Sequence, residues 1–156
     1  MSDWGIVARA IHVLSVVVWI GGVSMVATVL LPYMRRGESA DWLRDFDAIE
    51  RRFAPQARLA VLLTGLSGLY MLYRYGLWDR FLSGQFWWMH LMIFTWLLFG
   101  MMLFIFEPLV FGKWVRRRGR AAPRSTLALM LRLHWALLIL SLVTIFAAVV
   151  GSHGGL

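Results

Sequence analysis

The chain has 156 residues, of which 60% are hydrophobic and 15% charged, and it contains no cysteine. A soluble domain has about 45–50% apolar residues, so the composition indicates a polytopic membrane protein, and the lack of cysteine excludes disulfides, thiolate metal sites and iron–sulfur clusters. The net charge of +8 is concentrated between apolar runs, where it predicts membrane topology and gives no indication of a nucleic-acid partner.

Four apolar runs follow one another along the chain, at about 6–31, 57–76, 86–111 and 126–151. A helix needs about 20 apolar residues to cross a bilayer, and each run approaches or exceeds that length. We therefore predict an all-α fold, a bundle of four transmembrane helices that forms a single domain over 1–156. Pro32 is expected to end the first span, since proline interrupts a helix.

The connections between these runs differ in positive charge. The first, 33–58, holds six arginines, the third, 112–125, holds five arginines and a lysine, and the middle one, 77–85, holds one arginine. Positively charged connections of membrane proteins stay in the cytoplasm. The pattern predicts a multi-pass protein of a bacterial inner membrane, with both termini and the middle connection outside.

The first connection also carries a helical pattern at about 41–53. Its apolar residues recur at helical spacing after an acidic residue that suits a helix start; they are Trp42, Leu43, Phe46, Ile49 and Phe53. We predict a short amphipathic helix on the cytoplasmic membrane surface. It would cover the floor of the bundle or, alternatively, provide a docking surface for a partner.

Two histidines lie near the outer ends of different spans. His12 is six residues, roughly 9 Å, inside the first span, and His90 is four residues, roughly 6 Å, inside the third. An ionisable group at membrane depth normally faces a partner, and two imidazoles at one level match the axial ligation of haem iron. A hydrogen bond within the bundle, or a copper or zinc site, is the alternative for each histidine.

Two residues near His12 belong to the same predicted site. Arg9 precedes His12 by three residues, so it shares a helix face and can bind haem propionates or extend to the lipid headgroups. Trp19 follows His12 by seven residues, two turns along the same face, where it would line an aromatic pocket.

A second polar pair is expected nearer the cytoplasmic side. His134 lies eight residues, roughly 12 Å, into the fourth span, and Glu107 lies near the inner end of the third. Together they can form a proton relay, part of a second haem site or a structural pair. Arg58 and Arg132 are the alternative partners for Glu107.

Three motifs then resemble known membrane proteins. The segment 12–22, HVLSVVVWIGG, is similar to the opening of CopD-type proteins and of HemJ, the haem-containing membrane protoporphyrinogen oxidase. Glu-Arg-Arg at 50–52 and Trp-Trp-Met-His at 87–90 match the HemJ pattern in the same order. The resemblance covers roughly residues 10–95.

The resemblance implies a four-helix bundle that binds b-type haem through His12 and His90. HemJ has a lysine two residues after its third-span histidine, whereas this chain has Met92, which argues against porphyrinogen oxidation. The leading prediction is a b-type cytochrome with one haem, or two, that exchanges single electrons with a quinone or a redox protein. The alternatives are a HemJ-like oxidase, a CopD-like copper-handling protein, and a cofactor-free accessory subunit; a homodimer or a larger membrane complex is compatible with each.

Overall fold

The computed structural model describes residues 3–37 and 41–154, and within these ranges the chain is helical apart from short turns. The first rod comprises α1 (Asp3–Met25), a π-helical turn (Val26–Leu30) and α2 (Leu31–Arg35). The second is α3 (Trp42–Tyr75), followed by two short 3-10 helices, Leu77–Leu82 and Gly84–Phe86. The third rod comprises α4 (Trp87–Met101), a π-helical segment (Met102–Phe111) and α5 (Gly112–Ala121), and α6 (Pro123–Ser152) completes the fold. The predicted all-α architecture is confirmed for the described residues.

Among the described residues, three helical rods are long and apolar enough to cross a membrane, namely Trp4–Arg35, Gly84–Ala121 and Pro123–Ser152. Large apolar side chains are exposed along them, including Leu14, Leu109 and Phe146. Apolar surface on this scale is costly in water and is suited to lipid contact. The structure is therefore consistent with a membrane protein.

The first rod continues past the proline that was expected to end it. Helix α2 begins at Leu31 and runs through Pro32 to Arg35. The π-helical turn directly before it changes the hydrogen-bond register, with the amide of Leu31 donating to the carbonyl of Val26. Backbone amides in the first turn of a helix have no partner within that helix, so a proline there loses no hydrogen bond. The rod therefore continues through Pro32.

The predicted amphipathic helix is not a separate element, because residues 41–53 form the first part of the long helix α3. The Asp41 carboxylate accepts a hydrogen bond from the amide of Arg44 and so caps the start of α3. Pro55 lies inside the helix without ending it. Phe46 before the proline and Ala57 after it are both buried against neighbouring elements, and this packing offsets the roughly 3 kcal/mol that an internal proline costs.

The rods pack in two main pairs, α1 with α3 and α4 with α6, and additional contacts join α1 to α6 and α3 to α4. A central core lies where all four meet, with Trp19 and Val23 from α1, Val61 from α3, Phe99 from α4 and Leu138 from α6. A second core gathers α2, the start of α3, α5 and the start of α6 at one end of the bundle. A third, around Trp88 and Ala147, lies at the other end.

Candidate functional site

His12 is held against α3 by its Nδ1 atom. That nitrogen lies 2.9 Å from the carbonyl oxygen of Thr64 and 3.1 Å from the hydroxyl of Ser67. A carbonyl only accepts, so Nδ1 carries the proton and donates to Thr64, and Nε2 of the neutral ring keeps its lone pair. Metal-binding histidines commonly have this arrangement, in which a carbonyl fixes the tautomer and the other nitrogen binds the metal.

Gly68 provides the space in which the His12 ring lies. A Cβ atom at this position would be 3.3 Å from Cε1 of His12 and 3.5 Å from Nδ1. The ring would then have to move by a few tenths of an ångström. The short distance between α3 and the imidazole thus depends on a residue without a side chain.

Trp19 does not line an open pocket; it is part of the central core. Its side chain is only 5% exposed, and its ring meets that of Phe99 edge to face with centroids 4.7 Å apart. This separation leaves no room for a planar macrocycle between α1 and α4 at that level. A planar ligand between these helices would have to lie nearer one of their ends. The indole Nε1 of Trp19 is buried, and no protein atom in the described ranges accepts its hydrogen.

His90 and Arg9 are both exposed, at the ends of α4 and α1 where the sequence predicted them to lie. The His90 ring packs edge to face against Phe81, with the centroids 5.4 Å apart. The two residues beside it in the chain, Trp88 and Met89, are buried. Within the described part of the chain the His90 imidazole makes no hydrogen bond, so no protein partner orients it as Thr64 and Ser67 orient His12.

The predicted relay residues have separate partners. Nδ1 of His134 donates to the carbonyl of Met130, one turn earlier in α6, at 2.8 Å. Glu107 instead pairs with Arg58, whose Nη2 lies 3.0 Å from its Oε1. No hydrogen bond or ion pair connects His134 with Glu107 in the described ranges. The structure thus has the Arg58 alternative that the sequence left open.

Arg58 also satisfies a carbonyl that the backbone leaves without a partner. Its Nε donates to the oxygen of Leu103 at 3.1 Å. In a π-helix residue i accepts from residue i+5, and five residues after Leu103 comes Pro108, which has no N–H. One guanidinium therefore neutralises Glu107 and compensates for Pro108, which connects α3 to the π-helical segment.

Glu50 lies near this ion pair, and sequence reasoning did not assign it to a site. Burial, followed by the neighbouring carboxylates of Glu107 and Asp47, raises the pKa of Glu50 from 4.5 to about 7. Arg116 and Arg58 oppose the increase more weakly. Asp47 in turn forms an ion pair with Arg116 at 3.6 Å. We call these five residues, Asp47, Glu50, Arg58, Glu107 and Arg116, the charged cluster.

The sequence contains one indication of the environment of Glu50, which is its spacing from two other charged residues. Asp47, Glu50 and Arg58 are spaced by three and eight residues, so they share one face of α3. That face becomes informative only once Glu107 and Arg116, far away in the chain, are known to pack against it.

Comparisons of the chain with protein-family models, with curated proteins and with solved structures found no match.

Proposed function

We propose that the chain is a four-span protein of a bacterial inner membrane with both termini on the outer side. The span that completes the four, the second in chain order, would be the second half of α3, roughly 57–75. Two features support it: α3 packs along α1 more extensively than any other pair of the described helices packs together, and its first half carries three of the six arginines of the first connection. A buried helix pairs its polar face with neighbours, which explains why α3 is less apolar than the other rods.

We further propose that this protein binds b-type haem and transfers single electrons. The observation that carries the proposal is the bond from Nδ1 of His12 to the carbonyl of Thr64, which leaves Nε2 as a ligand of fixed orientation. His90 is the proposed second axial ligand. A bound haem would supply a one-electron couple, and its acceptor or donor would be a quinone or another redox protein.

The protein residues have distinct roles in this proposal. Thr64 orients the imidazole of His12, and the hydroxyl of Ser67 restricts its rotation. The contact between Trp19 and Phe99 closes the bundle below the site and excludes water from that side. Arg9, exposed one turn before His12, is the proposed partner of a propionate.

The test is a dithionite-reduced minus oxidised visible spectrum of the protein purified in detergent from haem-sufficient cells. Wild-type protein should give sharp, separate α and β bands, and His12→Ala and His90→Ala should each abolish or broaden them. His153→Ala is the matched control, since His153 is exposed and bonds to Val149 in its own helix. A featureless wild-type spectrum would rule out the haem proposal, while retention of the bands in His12→Ala would rule out His12 as ligand.

One observation supports ranking porphyrinogen oxidation second. Met92 is partly buried against the core around Trp88 and Ala147, and a thioether supplies no base for porphyrinogen oxidation. Failure of the gene to complement an oxidase-deficient strain would agree with this ranking. For copper handling the test is metal analysis of the purified protein, in which copper without iron would favour that function. A colourless, metal-free protein would instead favour an accessory subunit.

A further inference from the structure

Helix α5 extends the third rod beyond the length that a bilayer needs. The continuous helix Gly84–Ala121 has 38 residues, or roughly 57 Å, whereas the hydrocarbon core is about 30 Å thick. If Gly84 lies at the level of the outer headgroups, this helix leaves the hydrocarbon core of the bilayer near residue 108. Helix α5, which begins at Gly112, then lies at the level of the cytoplasmic headgroups.

One face of α5 is fixed against α3. Val115 is almost fully buried, and Gly119 lies so close to α3 that an added Cβ would be 2.6 Å from the ring of Trp42 and 2.9 Å from the side chain of Leu43. Only glycine permits that approach. The rotation of α5 about its axis is therefore determined by packing, and so is the direction of its charged face.

Four cations lie together on another face of α5. Lys113, Arg116, Arg117 and Arg120 have the spacing i, i+3, i+4 and i+7, and they line a surface cleft of about 480 Å³. No acidic residue is among those that line it. Asp41 and Asp47 line a neighbouring cleft of about 390 Å³, and Arg116 and Arg120 line both clefts.

This arrangement is unfavourable without an anion. Like charges three or four residues apart destabilise a helix, and here Lys113 precedes Arg117 by four residues, as Arg116 precedes Arg120. Asp47 pairs with Arg116 at 3.6 Å. In the described part of the chain neither Lys113 nor Arg117 forms an ion pair, so these two cations are free to bind a ligand.

We propose that this cleft binds the phosphate of an anionic phospholipid headgroup in the cytoplasmic leaflet. The inference rests on the membrane placement proposed above and is independent of haem. Clusters of basic residues directly beyond a membrane helix bind acidic lipids. The aromatic residues beside the cleft suit the same interface: Trp114 stacks on Phe111 with centroids 6.2 Å apart, and the guanidinium of Arg118 lies 5.5 Å from the centre of the Trp114 ring.

The experiment measures lipid binding to the full chain in detergent by native mass spectrometry, with phosphatidylglycerol and phosphatidylcholine as probes. Wild-type protein should retain phosphatidylglycerol in preference to phosphatidylcholine. The double variant Lys113→Gln/Arg117→Gln should lose about thirtyfold in affinity for phosphatidylglycerol, as removal of two surface cations predicts. The change should be confined to the acidic lipid.

The matched control is Arg35→Gln/Arg124→Gln, which removes the same charge from exposed arginines outside the cleft. It should bind phosphatidylglycerol within about twofold of wild type, since neither residue lines the cleft. An equal loss in the control, or equal binding of both lipids by wild type, would overturn the proposal. Displacement of the lipid by an equal concentration of inorganic phosphate would assign the cleft to free phosphate instead.

Haem content does not affect the lipid-binding result, and folding is checked separately. The lipid is detected by its mass, so a colourless protein that binds phosphatidylglycerol would refute the haem proposal alone. Thermal unfolding without added lipid should give similar midpoints for all three proteins, because the substituted side chains are exposed. If the double variant is unstable, Arg117→Gln alone should still weaken phosphatidylglycerol binding, by about fivefold.

Discussion

The surroundings of His12 and the charged cluster satisfy polar groups in opposite ways. His12 is held by neutral groups, a backbone carbonyl and a hydroxyl from one turn of α3. The charged cluster is held by ion pairs between side chains of α3, the π-helical segment and α5. A backbone carbonyl cannot be removed by substitution, whereas an ion pair can. The His12 site should therefore tolerate single substitutions around it, whereas loss of an ion-pair partner in the charged cluster should destabilise the fold.

The largest effect is expected for Arg58→Met. The substitution leaves both the half-buried carboxylate of Glu107 and the carbonyl of Leu103 without a donor. The free energy of unfolding should fall by about 2–3 kcal/mol, less than for a fully buried pair because the Arg58 side chain is 33% exposed. Thermal or denaturant unfolding in detergent measures it.

The control for this experiment is Arg52→Met, which removes an exposed arginine from the same helix and should change stability by less than about 0.5 kcal/mol. The double variant Arg58→Met/Glu107→Gln should recover part of the loss, since the uncompensated charge is gone. If Arg58→Met were as stable as Arg52→Met, the pair with Glu107 would not support the fold.

A smaller effect is expected for Glu50→Gln, and it depends on pH. The pKa of Glu50 is about 7 in the folded protein and 4.5 is its ordinary value, so the folded state binds more protons between these limits. Stability should therefore fall as the pH rises from 4.5 to 7. Glu50→Gln should lack this part of the decrease and at pH 8 be more stable than wild type by about 1–2 kcal/mol, a value reduced because the residue is partly exposed.

The matched comparison uses Asp79→Asn, which removes an exposed carboxyl from the first 3-10 helix. That variant should keep the wild-type dependence of unfolding midpoint on pH. Identical slopes for Glu50→Gln and wild type would mean that Glu50 titrates normally and that the charged cluster does not hold its proton.

The smallest effect is expected for Ser67→Ala beside His12. The substitution removes the 3.1 Å contact with Nδ1, but the bond to the Thr64 carbonyl remains. Stability should fall by about 0.5–1 kcal/mol, with unchanged haem absorption. Ser141→Ala is the control, because Ser141 is buried and bonds one turn back in its own helix as Ser67 does, without a histidine. A loss of haem bands in Ser67→Ala alone would show that Thr64 is not sufficient to orient the ring.

Much of the helical architecture could be predicted because apolar runs and their lengths are local properties. The prolines could not be interpreted locally. Pro32, Pro55 and Pro108 all lie within continuous helical rods, since π-helical turns and packing on both sides compensate for the missing amides. The sequence predicted no such compensation, because it depends on neighbours distant in the chain.

The same reasoning explains what could be foreseen of the site. His12 was predicted as a candidate ligand from its depth in an apolar run. The structure adds its hydrogen-bond partner, Thr64, which lies 52 residues away in the chain. The contact of His134 with Glu107, one of the alternatives that the sequence left open, is not seen in the described ranges: Nδ1 of His134 donates within its own helix, and Oε1 of Glu107 pairs with Arg58. The sequence indicates Glu50 only as part of the Glu-Arg-Arg motif, since its raised pKa arises from burial and from Glu107, which no local pattern places beside it.

The most direct measurement of the central claim, that Nε2 of His12 is a haem ligand, is rescue of His12→Gly by imidazole. The variant is purified, reconstituted with haem and compared with wild type, with and without imidazole. We expect the wild-type α and β bands to be absent from the variant and to return when imidazole is added, whereas pyrrole, which has no basic nitrogen, should not restore them. Wild-type bands in His12→Gly without imidazole would contradict the claim.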